Sequence, residues 1–478
     1  MKKILSFLLT GFLLFATVIP AFAAEAAVPV VYIPEGTALN AAGEPVLPEA
    51  DAFADAVYAE TLPAFKNAMY LGAWDAYFAQ LIAAVTPAFA ALRPDDTGAL
   101  PGEVLTQAPP APAQEDLFTY TFRYDLRCDP LLSAAALADY IAAVMAATGS
   151  ETVSLTAKGF GCCVAAAYLT AFGWEDVSSF VMIGSAAAGS AFVSEAFTGA
   201  WHTDTAAFSA FRKQENRLVE PLTALASLSV ANARNFGVAN AAGRLGQGLV
   251  SCAAVPALLR ATYARCPGIW ALVDAAHYET AKNALLGEDP AHAALITAAD
   301  AYHYGVQAVF EDTLQRMLTD GVRVYDIAGY GVPLPPLTES AAAPSDGLVS
   351  ADAQAFAADP VTDEGLLPAA HFLLPETTWC VKNLGCGALP AGIAPFVLRL
   401  AQSETYLSVY SDAAYPQFLT YHADTDTLTG PANEVNESPV GFIARLFAGF
   451  RRAVKAFFVY VRSYLIRNVK NLTEKDFR

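Results

Sequence analysis

The stretch "LTAKGFGCCVAAAYL", from Leu155 to Leu169, decides how this chain is read. Apolar and β-branched residues lead up to Ala157, two glycines fall within the next four positions, and small residues follow. That order reads as a buried strand, a tight turn and a closely packed helix. The turn has the outline of a nucleophile elbow, G-x-S-x-G, in which a strained strand-to-helix turn holds a serine at its tip. Here the five positions are Ala157, Lys158, Gly159, Phe160 and Gly161. The tip is Gly159, which has no side chain to attack anything.

Outward from this turn, strands and helices alternate. Strands are expected at 28–33, 117–125, 152–157, 177–184, 322–331 and 377–383, with helices over 50–93, 131–149 and 161–172. Alternation of this kind argues for an α/β protein: a mostly parallel central sheet with helices on both faces. Residues 190–318 break the rhythm, are rich in helix-spaced apolar residues and read as a helical cap insertion. The segment 415–430 reads as an edge hairpin or a small appendage.

Several segments lie in one order along the chain. "VVYIPEGTAL" (30–39), "FTYTFRYDLRCDPLLSAAALADYI" (118–141), the 152–172 turn, "VMIGSAAAGS" (181–190) and "SDGLVSADA" (345–353) resemble, in that sequence, the core segments of lecithin:cholesterol acyltransferase-like lipases. The resemblance spans residues 28 to about 400 and implies an α/β-hydrolase fold. Its domains would be a hydrolase-like body over 28–402 containing the 190–318 cap, a β appendage or linker over 403–438, and a basic segment over 439–478.

Such enzymes need a nucleophile, an acid and a histidine in chain order. The resemblance places Gly159 in the nucleophile slot, Asp346 in the acid slot and Cys386, at the end of "WCVKNLGC", in the histidine slot. Without hydroxyl and imidazole, a retained Asp346 has nothing to orient. An oxyanion hole would use the Phe160 N–H and one from the Glu35–Gly36 loop, so a pocket for a lipid or acyl ligand could outlast catalysis. The reading is an inactive relative. The alternative is an active lipase, esterase or O-acyltransferase using other residues.

Other residues nearby have plainer readings. Cys162 and Cys163 read as buried small hydrophobes, His371 as a surface histidine or a neighbour of Asp346, and Lys158 as a solvated loop lysine. Asp346 itself could be a turn aspartate in "SDG".

The chain's ends and composition set the context. "MKKILSFLLTGFLLFATVIPAFA" (1–23) combines two lysines, an apolar run and an Ala-x-Ala site, the pattern of a secretory signal peptide. Export to the medium or the cell envelope is therefore expected. Of the seven cysteines, Cys252 and Cys266 are the best-spaced pair for a disulfide. No spacing suggests a metal site, and no cofactor is expected. The net charge of −19 argues against a nucleic-acid partner.

Charge is unevenly spread. Residues 439–478 carry nine Lys or Arg and two Asp or Glu, which leaves the rest of the chain at −26. Plotted at about 100° per residue, the 441–471 stretch places Leu446, Phe450, Val454 and Phe457 on one face. Arg445, Arg452, Lys455 and Arg462 fall on the other, with Val459 and Ile466 as exceptions. A C-terminal amphipathic helix follows, lying on an anionic membrane surface or docked on the acidic body.

Overall fold

The computed structural model describes residues 28–40, 43–46, 50–71, 73–94, 120–200, 260, 262–287, 289–334, 338–357 and 372–430. The signal peptide, residues 441–471, His371 and Cys252 lie outside the described residues, as does much of the expected cap (201–259).

Eight strands form one sheet in the order β2-β1-β3-β4-β5-β6-β7-β8. They are β1 (Val30–Ile33), β2 (Tyr120–Thr121), β3 (Val153–Lys158), β4 (Val177–Ile183), β5 (Arg323–Tyr330), β6 (Thr378–Lys382), β7 (Phe418–His422) and β8 (Thr427–Thr429). Every pairing is parallel except β7 with β8. The fold is therefore α/β with a mostly parallel sheet, as the alternation of elements implied.

Period-two alternation sends successive side chains to opposite faces. Val31, Ile33, Leu155, Phe180 and Val324 enter one core. Val181, Ile183, Tyr325, Trp379 and Val381 enter the other. Both faces are covered, so even Ser154, Thr156, Ser179 and Asp326 on these strands are buried.

The helices are α1 (Ala50–Leu71), α2 (Trp74–Leu92), α3 (Pro130–Thr148), α4 (Gly161–Phe172), α5 (Ala191–Thr198), α6 (Pro267–Trp270), α7 (Tyr278–Leu285), α8 (Ala293–Gly305), α9 (Phe310–Thr319), α10 (Ala351–Gln354) and α11 (Ala394–Gln402). α3, α4 and α9 share the first core, and α11 packs into the second, on the opposite face. α3 begins at an Asp129 cap followed by Pro130 and ends at Gly149 in the left-handed conformation.

The 415–430 segment is an edge hairpin, one of its two expected readings: β7 pairs with β6, and β8 ends the sheet. Within 190–318, α9 packs against β5 and α4 as an ordinary sheet-flanking helix. The described stretch between α5 and α9 is helical, as expected. It is tied to the body by the Ser190 N–H donating to Leu272 O at 2.7 Å and the Asp274 N–H to Ser194 Oγ at 2.9 Å.

Candidate functional site at the sheet's switch point

After β1 the chain moves outward to β2, then returns to β3 on the other side of β1. The turns leaving β1 and β3 lie side by side at the carboxyl ends of the strands, the edge where open α/β sheets bind ligands. The 155–169 stretch lies at this point. β3 ends at Lys158, Gly159 turns with φ +55°, and α4 starts at Gly161. The Gly159 N–H donates to Ile183 O at 2.9 Å, and its carbonyl accepts from the Cys162 and Ala186 amides. The turn is thus pinned to the end of β4.

Gly161 is required for another reason. A β-carbon there would lie 2.3 Å from Ile33 O and 2.5 Å from Pro34 O, so only glycine lets α4 start against the end of β1. The N–H groups of Phe160 and Gly161 have no acceptor among the described residues, as the first turn of a helix leaves them.

The loop after β1 is fixed from β2. Tyr124 donates its hydroxyl hydrogen to Pro34 O at 2.8 Å, and its ring fills the space where a side chain at Gly36 would go. Phe160 stacks on Tyr124 at 6.1 Å. Below them lies a buried ion pair. Arg127 donates to both oxygens of Asp125, to Leu39 O and to Leu92 O, while Asp125 also accepts from the Leu39 N–H.

The other two slots reach the same edge of the sheet. The Asp346 carboxylate lies over Gly184, next to the residue that holds the Gly159 amide. Its Oδ1 accepts from the Leu348 and Val349 amides at 2.9 and 2.8 Å. That is the geometry of a turn aspartate, the plainer of its two readings. The Cys386 N–H donates to Asp346 O at 2.8 Å, and its Sγ lies against Gly347. Acid slot and histidine slot are neighbours.

Two charged side chains complete the site. Lys158 is not a solvated loop lysine: it is the last residue of β3, it is wholly buried, and its Nζ donates to Gly385 O at 3.1 Å. Glu35, expected only as part of a backbone donor loop, puts its carboxylate in front of the turn. Its Cγ and Cδ lie 3.0 Å from where a β-carbon at position 159 would sit, and its Oε2 accepts a hydrogen bond from the Gly387 N–H. A charged residue just after the apolar strand 28–33 was visible in the sequence. Its partner, 352 residues away, was not.

Electrostatics disfavour nucleophiles here. Desolvation pushes the Asp346 carboxyl up to about 6, against the pull of the Val349 and Leu348 amides and of Lys158. Burial pushes the Cys162 thiol up to about 12 and raises Cys163 strongly. Cys386 keeps contact with solvent, yet the protein crowded around its sulfur, with Glu35 and Asp346 adding to it, holds its thiol up at about 12. A thiol so raised supplies almost no thiolate at neutral pH. Cys266 carries a free, buried thiol that donates to Thr262 O; Cys252, its expected partner, lies outside the described residues.

Among the described residues, no group of three or more His, Cys, Asp or Glu is placed to hold a metal ion. No family model matches the sequence, and neither a curated protein nor a solved structure matches the chain.

Proposed function

We propose that the chain is a catalytically inactive protein of the α/β-hydrolase fold, from its acyltransferase or lipase-like branch. The reading gives it a binding role toward lipid, an acyl ligand or a partner at a surface. The observation that carries it is the turn at Gly159. It has the strand-to-helix form and positive φ of an elbow tip, no side chain, and the Glu35 carboxylate in front of it. The order along the chain supports the same reading: tip after β3, acid slot after β5, histidine slot after β6. So does the flanking of the sheet by α3, α4 and α9 on one face and α11 on the other.

The missing groups account for inactivity. A hydroxyl without a base stays protonated, and the residue in the base's slot is a thiol held in its neutral form. The test is hydrolysis of p-nitrophenyl esters by the purified protein, Gly159→Ser, and Gly159→Ser with Cys386→His. The first two are expected to match a heat-treated control. The double variant rebuilds a three-part arrangement beside Asp346 and is expected to show weak turnover, because misplacement by about 1 Å can cost roughly 10²-fold.

The surface in the proposed role is an anionic membrane outside the producing cell's cytoplasm. It would be reached after cleavage of residues 1–23 and bound through residues 441–471. Deleting 439–478 is expected to abolish salt-sensitive flotation with anionic vesicles, since such attraction is screened over about 10 Å at 0.1 M salt. Unchanged flotation would remove the membrane from this proposal.

A further inference from the structure

The Glu35 carboxylate stands on the ground an acyl ligand would need. Its Oε1 lies 3.1 Å from the β-carbon position of residue 159, and its Oε2 takes the Gly387 N–H. This bond joins the loop after β1 to the loop after β6 in front of the Gly159 turn. Lys158 grips the same β6 loop from within, through Gly385 O. Glu35 is only half-buried, and Gly387 is exposed with φ +96° and nothing packed where a side chain would go. The link is therefore made between two groups that can separate without disturbing the core.

We infer that Glu35 is a built-in occupant of the elbow site, a strap that closes it against acyl ligands until the Glu35–Gly387 link is broken. The inference rests on reading the Gly159 turn as an elbow without a nucleophile, and it adds the regulation of that site. A glycine tip and a glutamate at 35 belong together. The tip needs a small residue because the carboxylate is there, and the carboxylate fits because the tip is bare. A ligand carboxylate carries the same chemistry as Glu35 and competes with it for the Gly387 N–H.

The test uses the full chain and Glu35→Ala, with amide exchange followed at Gly387 and acetate as the probe at constant ionic strength. Hydrogen bonds to charged acceptors are strong enough that their loss speeds exchange by about tenfold or more. Exchange at Gly387 is expected to accelerate by that factor in Glu35→Ala, to slow again saturably with acetate, and to be indifferent to acetate in the wild type. Gly159→Ala is expected to lower the melting temperature more in the wild type than in the Glu35→Ala background, where its new β-carbon no longer meets a carboxylate.

Glu35→Asp, one methylene too short to reach Gly387, gives the same acceleration if the alanine variant fails to fold. Equal Gly387 exchange in all chains, or acetate protection of wild type and variant alike, would overturn the strap. Ester hydrolysis reports separately on the inactive reading beneath it.

Discussion

Two loops meet at the Gly159 turn, and they are held by different means. The loop after β1 is fixed from the interior: Tyr124 bonds Pro34 O, and the buried Asp125–Arg127 pair bonds the backbone at Leu39 and Leu92. The loop after β6 is held by two charged side chains and one backbone bond, with the buried Lys158 on Gly385 O, Glu35 on the Gly387 amide, and the Cys386 amide on the Asp346 backbone carbonyl. The first loop is scaffold. The second is held by the Lys158 and Glu35 side chains, and it carries Cys386. Interior hydrogen bonds are costly to lose, so the first loop is expected to resist single changes that would free the second.

The largest effect is expected from breaking the interior anchor. Arg127→Ala strands Asp125, which is wholly buried, without its counter-charge. Removing one partner of a buried pair costs about 3–5 kcal/mol. Denaturant unfolding should show that loss and a matching gain in exchange across residues 34–40. A loss under about 1 kcal/mol, in the range of a surface pair, would erase the distinction between the two loops.

Next is the pH response of Asp346, whose backbone carbonyl holds the second loop at Cys386. Asp346 titrates near 6 when folded, above the ordinary aspartate value of 3.8. A carboxyl raised by folding keeps its proton longer in the native state, so its contribution is full below about pH 4 and is lost as pH rises to about 6. Two units correspond to on the order of 3 kcal/mol. Wild type should lose stability relative to Asp346→Asn across that window and run parallel to it above. Asp326 and Asp129, also raised by desolvation, have the same sign and contribute to the slope left in Asp346→Asn. A constant difference between the two proteins from pH 4 to 7 would contradict the assignment.

A smaller effect is expected where helix meets scaffold. Gly161→Ala drives a β-carbon into the Ile33 and Pro34 carbonyls. Overpacking of this kind costs about 1–3 kcal/mol. Thermal unfolding that matched the wild type would mean the turn can shift away from β1.

Much of this frame was legible in the sequence because it is written locally. Apolar and β-branched runs gave β1, β3, β4, β5 and β6 nearly residue for residue, and Gly149 marked the end of α3. β2 is shorter than its apolar stretch suggested, with Tyr120–Thr121 paired and Phe122 and Tyr124 turned to packing around the β1 loop. Whether the β7–β8 hairpin joined the sheet or stood apart was left open because pairing partners are not encoded in a strand's own pattern.

The site divides the same way. Gly159, Asp346 and Cys386 could be placed by position along the chain. The burial of Lys158 and the reach of Glu35 to Gly387 could not, since a long charged side chain reads as solvated until its distant partner is known.

The central claim is that the elbow holds no nucleophile, and a fluorophosphonate probe tests it most directly. Such a probe reacts with a serine only when a base and an oxyanion site activate it. Incubated with the full chain and read by intact mass, it is expected to leave the protein at its unmodified mass, as it leaves a heat-treated control. Stoichiometric labelling of a single serine, lost on heat treatment and accompanied by ester hydrolysis, would contradict the account.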